Sequence, residues 1–114
     1  MTHTLTQIEG CTFIDGIERN RENPKTFGIP TAQEISEVQP GWWIKVGLEK
    51  KAPAEWERGG ERFWLKVTSV DKKSGLFVGQ VDNDLTLFPD LTDAVLTVEG
   101  RHVIGIQEPP WSGS

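Results

Sequence analysis

The chain has 114 residues, a formal net charge of −5 and a pI near 5.0. This length fits a single domain over residues 1–114, and 36% hydrophobic with 25% charged side chains is typical of a soluble globular protein. An acidic chain is a poor candidate for direct nucleic-acid binding, because that affinity grows with the number of phosphates that Lys and Arg neutralise.

Residues 1–23 carry a short apolar pattern that includes Phe13 and Ile14 and is interrupted by Gly10 and Gly16. Such a broken pattern predicts a short strand or an irregular stretch. We therefore expect this segment to cover one face of the domain.

Residues 31–39 carry the clearest helix signal in the chain. Thr31 can accept from the backbone N–H three residues on, and Glu34 can reach back, which is the reciprocal capping box at a helix start. Ile35 and Val38 fall on one face, and a Pro-Gly pair then ends the pattern. A helix of about two turns is too short to stand alone, so packing against the rest of the domain must hold it.

From residue 42 the apolar side chains recur with a period of two. The alternation runs over residues 42–49 and again over 62–68, and further short strands are indicated in the stretches 76–84 and 94–107. This pattern is typical of half-buried antiparallel strands joined by hairpin loops.

These elements predict a mainly β fold in which one short helix precedes a meander of four to five strands over residues 42–106, with a tail at 107–114. A meander of this size buries its core by curling into a small barrel or by packing one face on the helix. Because closure removes exposed sheet edges, a small SH3-like barrel is the first choice. The alternative is an α+β fold, an open antiparallel sheet packed on the helix.

The pattern Trp-x-Lys-Val occurs twice, beginning at Trp43 and at Trp64. Strand alternation turns both tryptophans away from the core, and a hairpin register that places Trp43 opposite Trp64 would place Lys45 opposite Arg62. Large aromatic side chains beside cations are typical anchors of protein interfaces. The candidate partner-binding residues are Trp43, Lys45, Arg62, Trp64 and Lys66.

A plainer interpretation of the repeat stays open. Two neighbouring strands can be built in the same way without forming a binding surface. The N-terminal segment or the long loop between the strands would then cover the two tryptophans.

The charge is unevenly distributed along the chain. Residues 41–73 carry eight Lys or Arg against five acidic residues, whereas residues 74–114 carry Arg101 alone against six. The acidic last third is either an ordinary solvated face or the working surface of an inhibitor or immunity protein that blocks a basic nuclease or nucleic-acid-binding complex. The residues of that alternative acidic face are Asp82, Asp84, Asp90, Asp93 and Glu99.

The sequence groups no catalytic or metal-binding set. The stretch from Asp82 to Asp84 lacks the glycine and the distant glutamate of an EF-hand loop, so we interpret it as a strand-end turn. No residue spacing gives Cys11 or His102 an activating partner, and we expect a small buried thiol and a surface histidine. We therefore expect no enzyme activity, no metal and no cofactor.

A single cysteine cannot close an intramolecular disulfide, which favours a reducing compartment. The first residues lack the pattern of a secretory signal, and no apolar run is long enough to span a bilayer. We expect a cytoplasmic monomer or homodimer that binds a protein partner, without direct contact to nucleic acid or membrane.

Over roughly residues 24–106 the chain resembles the YegJ-like bacterial proteins, the family called domain of unknown function 2314. The matching features are a Phe-x-Ile-Pro helix start, a Pro-Gly-x-x-x-Lys-Val strand, a Glu-Arg-x-Trp strand and a Gly-x-x-x-Asn turn, which correspond here to Phe27–Pro30, Pro40–Val46, Glu61–Val67 and Gly79–Asn83. The chain departs from that pattern at Thr92-Asp93 and Ile104-Gly105-Ile106. The resemblance implies a small bacterial or phage β domain, with an immunity or counter-defence role by analogy.

Overall fold

The computed structural model describes residues 4–5, 11–50, 60–82, 85 and 91–109, with backbone placement alone at 4–5. In this part of the chain the sheet has seven strands, accompanied by two α-helices and a short 3-10 turn. The strands are β1 Thr4–Leu5, β2 Cys11–Phe13, β3 Trp43–Lys50, β4 Gly60–Asp71, β5 Leu76–Val81, β6 Val95–Glu99 and β7 Gly105–Gln107. The helices are α1 Gly16–Glu22 and α2 Ala32–Ser36, and the 3-10 turn is Gly100–His102.

The fold is mainly β, as predicted, and its central part is the expected meander. Strands β3, β4, β5 and β6 pair in sequence as antiparallel neighbours, and the sheet curls into a half-barrel. The N-terminal segment adds two strands that were not separately predicted: β1 lies parallel to β6, and β2 lies antiparallel to β3. Strand β7 pairs with the first three residues of β3, so β2 and β7 share one edge of that strand.

The concave face of the sheet forms the core. The apolar positions of β3 and β4 alternate as predicted, and their side chains are almost completely buried: Ile44, Val46, Leu48, Phe63, Leu65 and Val67. Each such side chain stabilises the fold by about 1.5–3 kcal/mol through removal from water. The intervening residues of both strands consequently face outward.

Helix α2 begins with the predicted capping box. The Glu34 N–H donates to the Thr31 hydroxyl at 3.1 Å, and the Thr31 N–H donates to the Glu34 carboxylate at 3.0 Å. The helix ends at Ser36, three residues earlier than predicted, and Val38 beyond it is buried while Ile35 packs on the core. The helix thus covers one end of the sheet.

The sequence predicted a single helix, and the structure adds a second one, α1. Asp15 caps it by accepting from the Glu18 N–H at 3.1 Å, and Arg101 of the 3-10 turn pairs with Asp15 at 3.3 Å. Ile17 of this helix is 49% exposed, so the helix lacks the apolar stripe that sequence patterns detect. No helix in the described part of the chain is long and apolar enough to cross a membrane.

The N-terminal segment lies against the outer face of β3 at Gly47. The Ile14 N–H donates to the Gly47 carbonyl at 2.8 Å, and the Ile14 side chain occupies the place that a Cβ at residue 47 would need. Nearby, Arg19 of α1 pairs with Glu49. The far half of the outer face, around Trp43, is where four of the five predicted binding residues lie: Trp43, Lys45, Trp64 and Lys66.

Candidate functional site

The pairing of β3 with β4 corrects the predicted register by two residues. Trp43 lies opposite Lys66, and Lys45 lies opposite Trp64, so the two tryptophans are diagonal neighbours instead of a direct pair. A shift of two residues leaves every side chain on its predicted face, which is why the outward orientation was predicted correctly. We call Trp43, Lys45, Trp64 and Lys66 the indole–lysine platform.

Each lysine of the platform lies near the indole ring on the opposite strand. The Lys45 ammonium nitrogen is 5.8 Å from the ring centroid of Trp64, and that of Lys66 is 5.5 Å from the ring centroid of Trp43. Cation–π contacts of this kind contribute about 0.5–1 kcal/mol at exposed sites. Both indoles are half-buried, so part of each ring remains accessible.

Asp82, immediately after β5, joins the platform and fixes one of its rings. The indole N–H of Trp43 donates to the Asp82 carboxylate at 2.8 Å, while the Asp82 backbone N–H donates to the Trp64 carbonyl at 2.9 Å. A carboxylate acceptor makes this a charge-assisted hydrogen bond, which is stronger than a neutral one. Asp82 therefore sets the orientation of Trp43.

A shallow depression lies between the two indoles. Its lining residues are Trp43, Trp64, Asp82 and Gln107, and Gln107 comes from β7, opposite Trp43. Gly105 of the same strand lies opposite Lys45, and a Cβ there would be 3.1 Å from the Lys45 Cβ and 3.6 Å from the Trp64 ring. A side chain at this position would crowd both residues.

Sequence reasoning missed Asp82, Gly105 and Gln107 as members of this site. Gly105 and Gln107 reach it because β7 returns to pair with β3, a contact between residues about sixty positions apart in the sequence. A strand-end aspartate is a weak signal on its own, because such residues most often serve turns.

Arg62 was predicted to lie opposite Lys45, and this is wrong. It lies opposite Gly47, and its guanidinium is 5.0 Å from the ring centroid of Phe27 in the segment between the helices. Because Phe27 lies against Arg62 and Ile14 covers Gly47, the N-terminal segment and the connection between the two helices occupy this end of the outer face. The N-terminal segment named in the plainer interpretation thus covers this end of the face, away from the platform, and the long loop of residues 51–59 lies outside the described residues.

Among the described residues, the alternative acidic face falls into two parts. Asp82 and Asp93 lie at one end of the β5–β6 pair, and Glu99 lies at the other. Asp82 contacts Trp43, Asp93 is exposed just before β6, and Glu99 ends β6 opposite the first residue of β5. The two ends of β6 are about 13 Å apart at the usual rise of a strand. Asp84 and Asp90 lie outside the described residues.

His102 was expected at the surface, but it is half-buried in the 3-10 turn. Its Nδ1 accepts from the Glu99 backbone N–H at 3.1 Å, and its ring lies 5.2 Å from the Phe13 ring. Burial lowers the pKa of His102 below its ordinary value of 6.5, and Arg101 lowers it further, against the opposing charges of Glu99 and Asp15. This arrangement stabilises the neutral imidazole.

Comparison with known proteins gives no match to this chain among family models, curated proteins or solved structures.

Proposed function

We propose that this chain is a non-enzymatic protein-binding module that holds its partner on the indole–lysine platform. The observation that carries the proposal is the pair of outward-facing tryptophans on adjacent strands, each with a lysine ammonium beside its ring. The opposite face of the same two strands forms the core, so these indoles are not needed to fill it. Tryptophans with nearby cations are the side chains that most often dominate binding energy at protein interfaces.

Strand pairing and one hydrogen bond constrain the platform, which supports the proposal. Its four side chains stand on two paired strands, and the Trp43 ring is fixed by its hydrogen bond to Asp82. A surface that is already ordered loses less conformational entropy on association than a mobile loop does. The same order would favour a specific partner over loose hydrophobic association.

The cellular setting belongs to this proposal as well. A lone, half-buried cysteine favours a reducing compartment, so we propose a cytoplasmic protein, monomeric or homodimeric. The resemblance to YegJ-like proteins remains a prediction, and from it comes the expectation of a bacterial or phage source.

Affinity capture with matched variants tests the proposal. Wild type, Trp64→Ala and Trp64→Leu are immobilised and exposed to lysate of the source cells, with Ile17→Ala as the control. Ile17 is a large apolar side chain that is 49% exposed on α1, away from the platform. Circular dichroism first checks that each variant folds, and Trp64→Leu retains apolar area in case the alanine variant is unstable.

We expect a protein that wild type and Ile17→Ala retain and that both folded Trp64 variants lose. Retention by the Trp64 variants would contradict the proposal. If neutralising Asp93 and Glu99 removed the partner instead, the alternative of an acidic inhibitor or immunity protein would replace it.

A further inference from the structure

The indole–lysine platform has its two cations on one diagonal and its two indoles on the other. This arrangement follows from the register, because Trp43 pairs with Lys66 and Lys45 pairs with Trp64. Diagonal neighbours on an antiparallel pair are about 7–8 Å apart. A ligand that follows the lysine diagonal therefore passes between the two indoles.

The charge of the platform favours an anionic ligand. Two ammonium groups are held near the ring centroids of Trp43 and Trp64, at 5.5 and 5.8 Å, and among the described residues the carboxylate that lines the depression beside them is that of Asp82. One oxygen of that carboxylate already accepts from the Trp43 indole. The excess of positive charge is local, since the chain as a whole carries −5.

The spacing of the lysines matches an extended peptide. In an extended chain the side chains of residues i and i+2 lie on the same side, about 6.6–6.8 Å apart, and diagonal strand positions such as those of Lys45 and Lys66 are about 7–8 Å apart. Two carboxylates separated by one residue can therefore reach both ammonium groups together. The backbone between them then lies over the depression between the indoles.

We infer, building on the proposed function, that the partner presents an extended acidic segment to this platform, with carboxylates at positions i and i+2 paired with Lys45 and Lys66. The indoles pack against the apolar parts of the segment. A nucleic-acid strand fits less well, because its phosphates continue beyond the platform towards a chain that is acidic overall. A short acidic segment differs in this respect, because all of its charges lie within about one Debye length of the two lysines. That length is roughly 10 Å at 0.1 M salt.

An array of octapeptides tests this inference. One set carries Asp or Glu at two positions separated by one residue, with varied apolar neighbours, and the second set carries Asn or Gln at the same positions. A dT12 oligonucleotide is the nucleic-acid probe. The proteins are wild type, Lys45→Gln/Lys66→Gln, Trp64→Leu and the control Lys72→Gln/Lys73→Gln, which removes the same charge from two exposed residues of the β4–β5 turn.

Wild type should bind members of the acidic set at least about tenfold more tightly than their amide counterparts, a difference of about 1.4 kcal/mol. Lys45→Gln/Lys66→Gln should lose that preference, the turn control should keep it, and rising salt should weaken it.

If wild type binds both sets equally, and if this binding depends on Trp64 but not on the lysines, the acidic inference is overturned and the proposed function stands. Absence of binding to every acidic peptide would also overturn the inference. Tighter binding to dT12 than to any peptide, or peptide binding that neither the lysine nor the Trp64 variant changes, would contradict both.

Discussion

The carboxylate of Asp82 holds the Trp43 indole in its orientation at the edge of the platform. Trp43→Phe keeps an aromatic ring but removes the N–H donor, so we expect it to lower the free energy of unfolding by about 1 kcal/mol. In an Asp82→Ala background the same substitution should cost much less. Urea unfolding of wild type, both single variants and the double variant measures this coupling, and additive effects would contradict the hydrogen bond.

Gly47 is the residue where the N-terminal segment comes closest to the sheet. A methyl group there would overlap the Ile14 side chain, so Gly47→Ala should destabilise the fold by about 1–3 kcal/mol. The cost should shrink in an Ile14→Ala background, in which the space is vacated. Thermal unfolding of the four proteins tests this, and an equal cost in both backgrounds would mean that Ile14 does not pack on Gly47.

At the scale of elements, the two faces of β4 should differ in their effect on stability. Leu65 is completely buried, so Leu65→Ala should lower the free energy of unfolding by about 2–5 kcal/mol. Trp64 is half-buried, so Trp64→Ala should lower it by clearly less. Urea unfolding of the two variants compares them directly. A greater loss for Trp64→Ala would place that indole in the core and remove the basis of the platform.

The 3-10 turn between β6 and β7 should make stability depend on pH. Because burial lowers the pKa of His102 in the folded state, the unfolded chain binds the proton more readily, and stability falls as pH drops below about 6.5 towards the folded pKa. Protonation at Nδ1 would also break the hydrogen bond from the Glu99 N–H.

The measurement is the free energy of unfolding at about pH 7.5 and about pH 5.5 for wild type and His102→Gln. Wild type should lose stability between the two values, and the variant should lose less. Equal losses would show that His102 does not carry the pH dependence.

The elements also show how much could be predicted from the sequence. Alternation in β3 and β4 predicted which side chains face outward, and the Thr31–Glu34 capping box predicted the start of α2, because both are local patterns. The register could not be predicted in this way, since the side-chain pattern of a strand is unchanged by a shift of two residues.

Other misses have different physical causes. Helix α1 has no apolar stripe that a sequence pattern could reveal, because its isoleucine, Ile17, is exposed. Tertiary contacts such as the Arg101–Asp15 pair contribute to the position of this helix instead. The site residues Gly105 and Gln107 depend on the return of β7 to β3, which no local pattern encodes.

At the scale of the whole molecule, charge and architecture place the cationic platform on an acidic protein. Residues 41–73 supply most of the basic side chains, and β3 and β4, which lie in that stretch, pair within the sheet, between β5 on one side and β2 with β7 on the other. Residues 74–114 carry six acidic residues against Arg101 alone, so this part of the chain disfavours anionic molecules. The overall charge therefore makes binding more selective for a ligand that reaches the platform.

The central claim is that a partner binds on the outer face of β3 and β4, and the indole N–H signals of protein labelled with 15N-tryptophan test it most directly. Substitution of each tryptophan by Phe assigns the five signals. On titration with the captured partner, the signals of Trp43 and Trp64 should shift, while that of Trp42, which packs against the core, should stay in place. Saturation of binding with both platform signals unchanged would contradict the account.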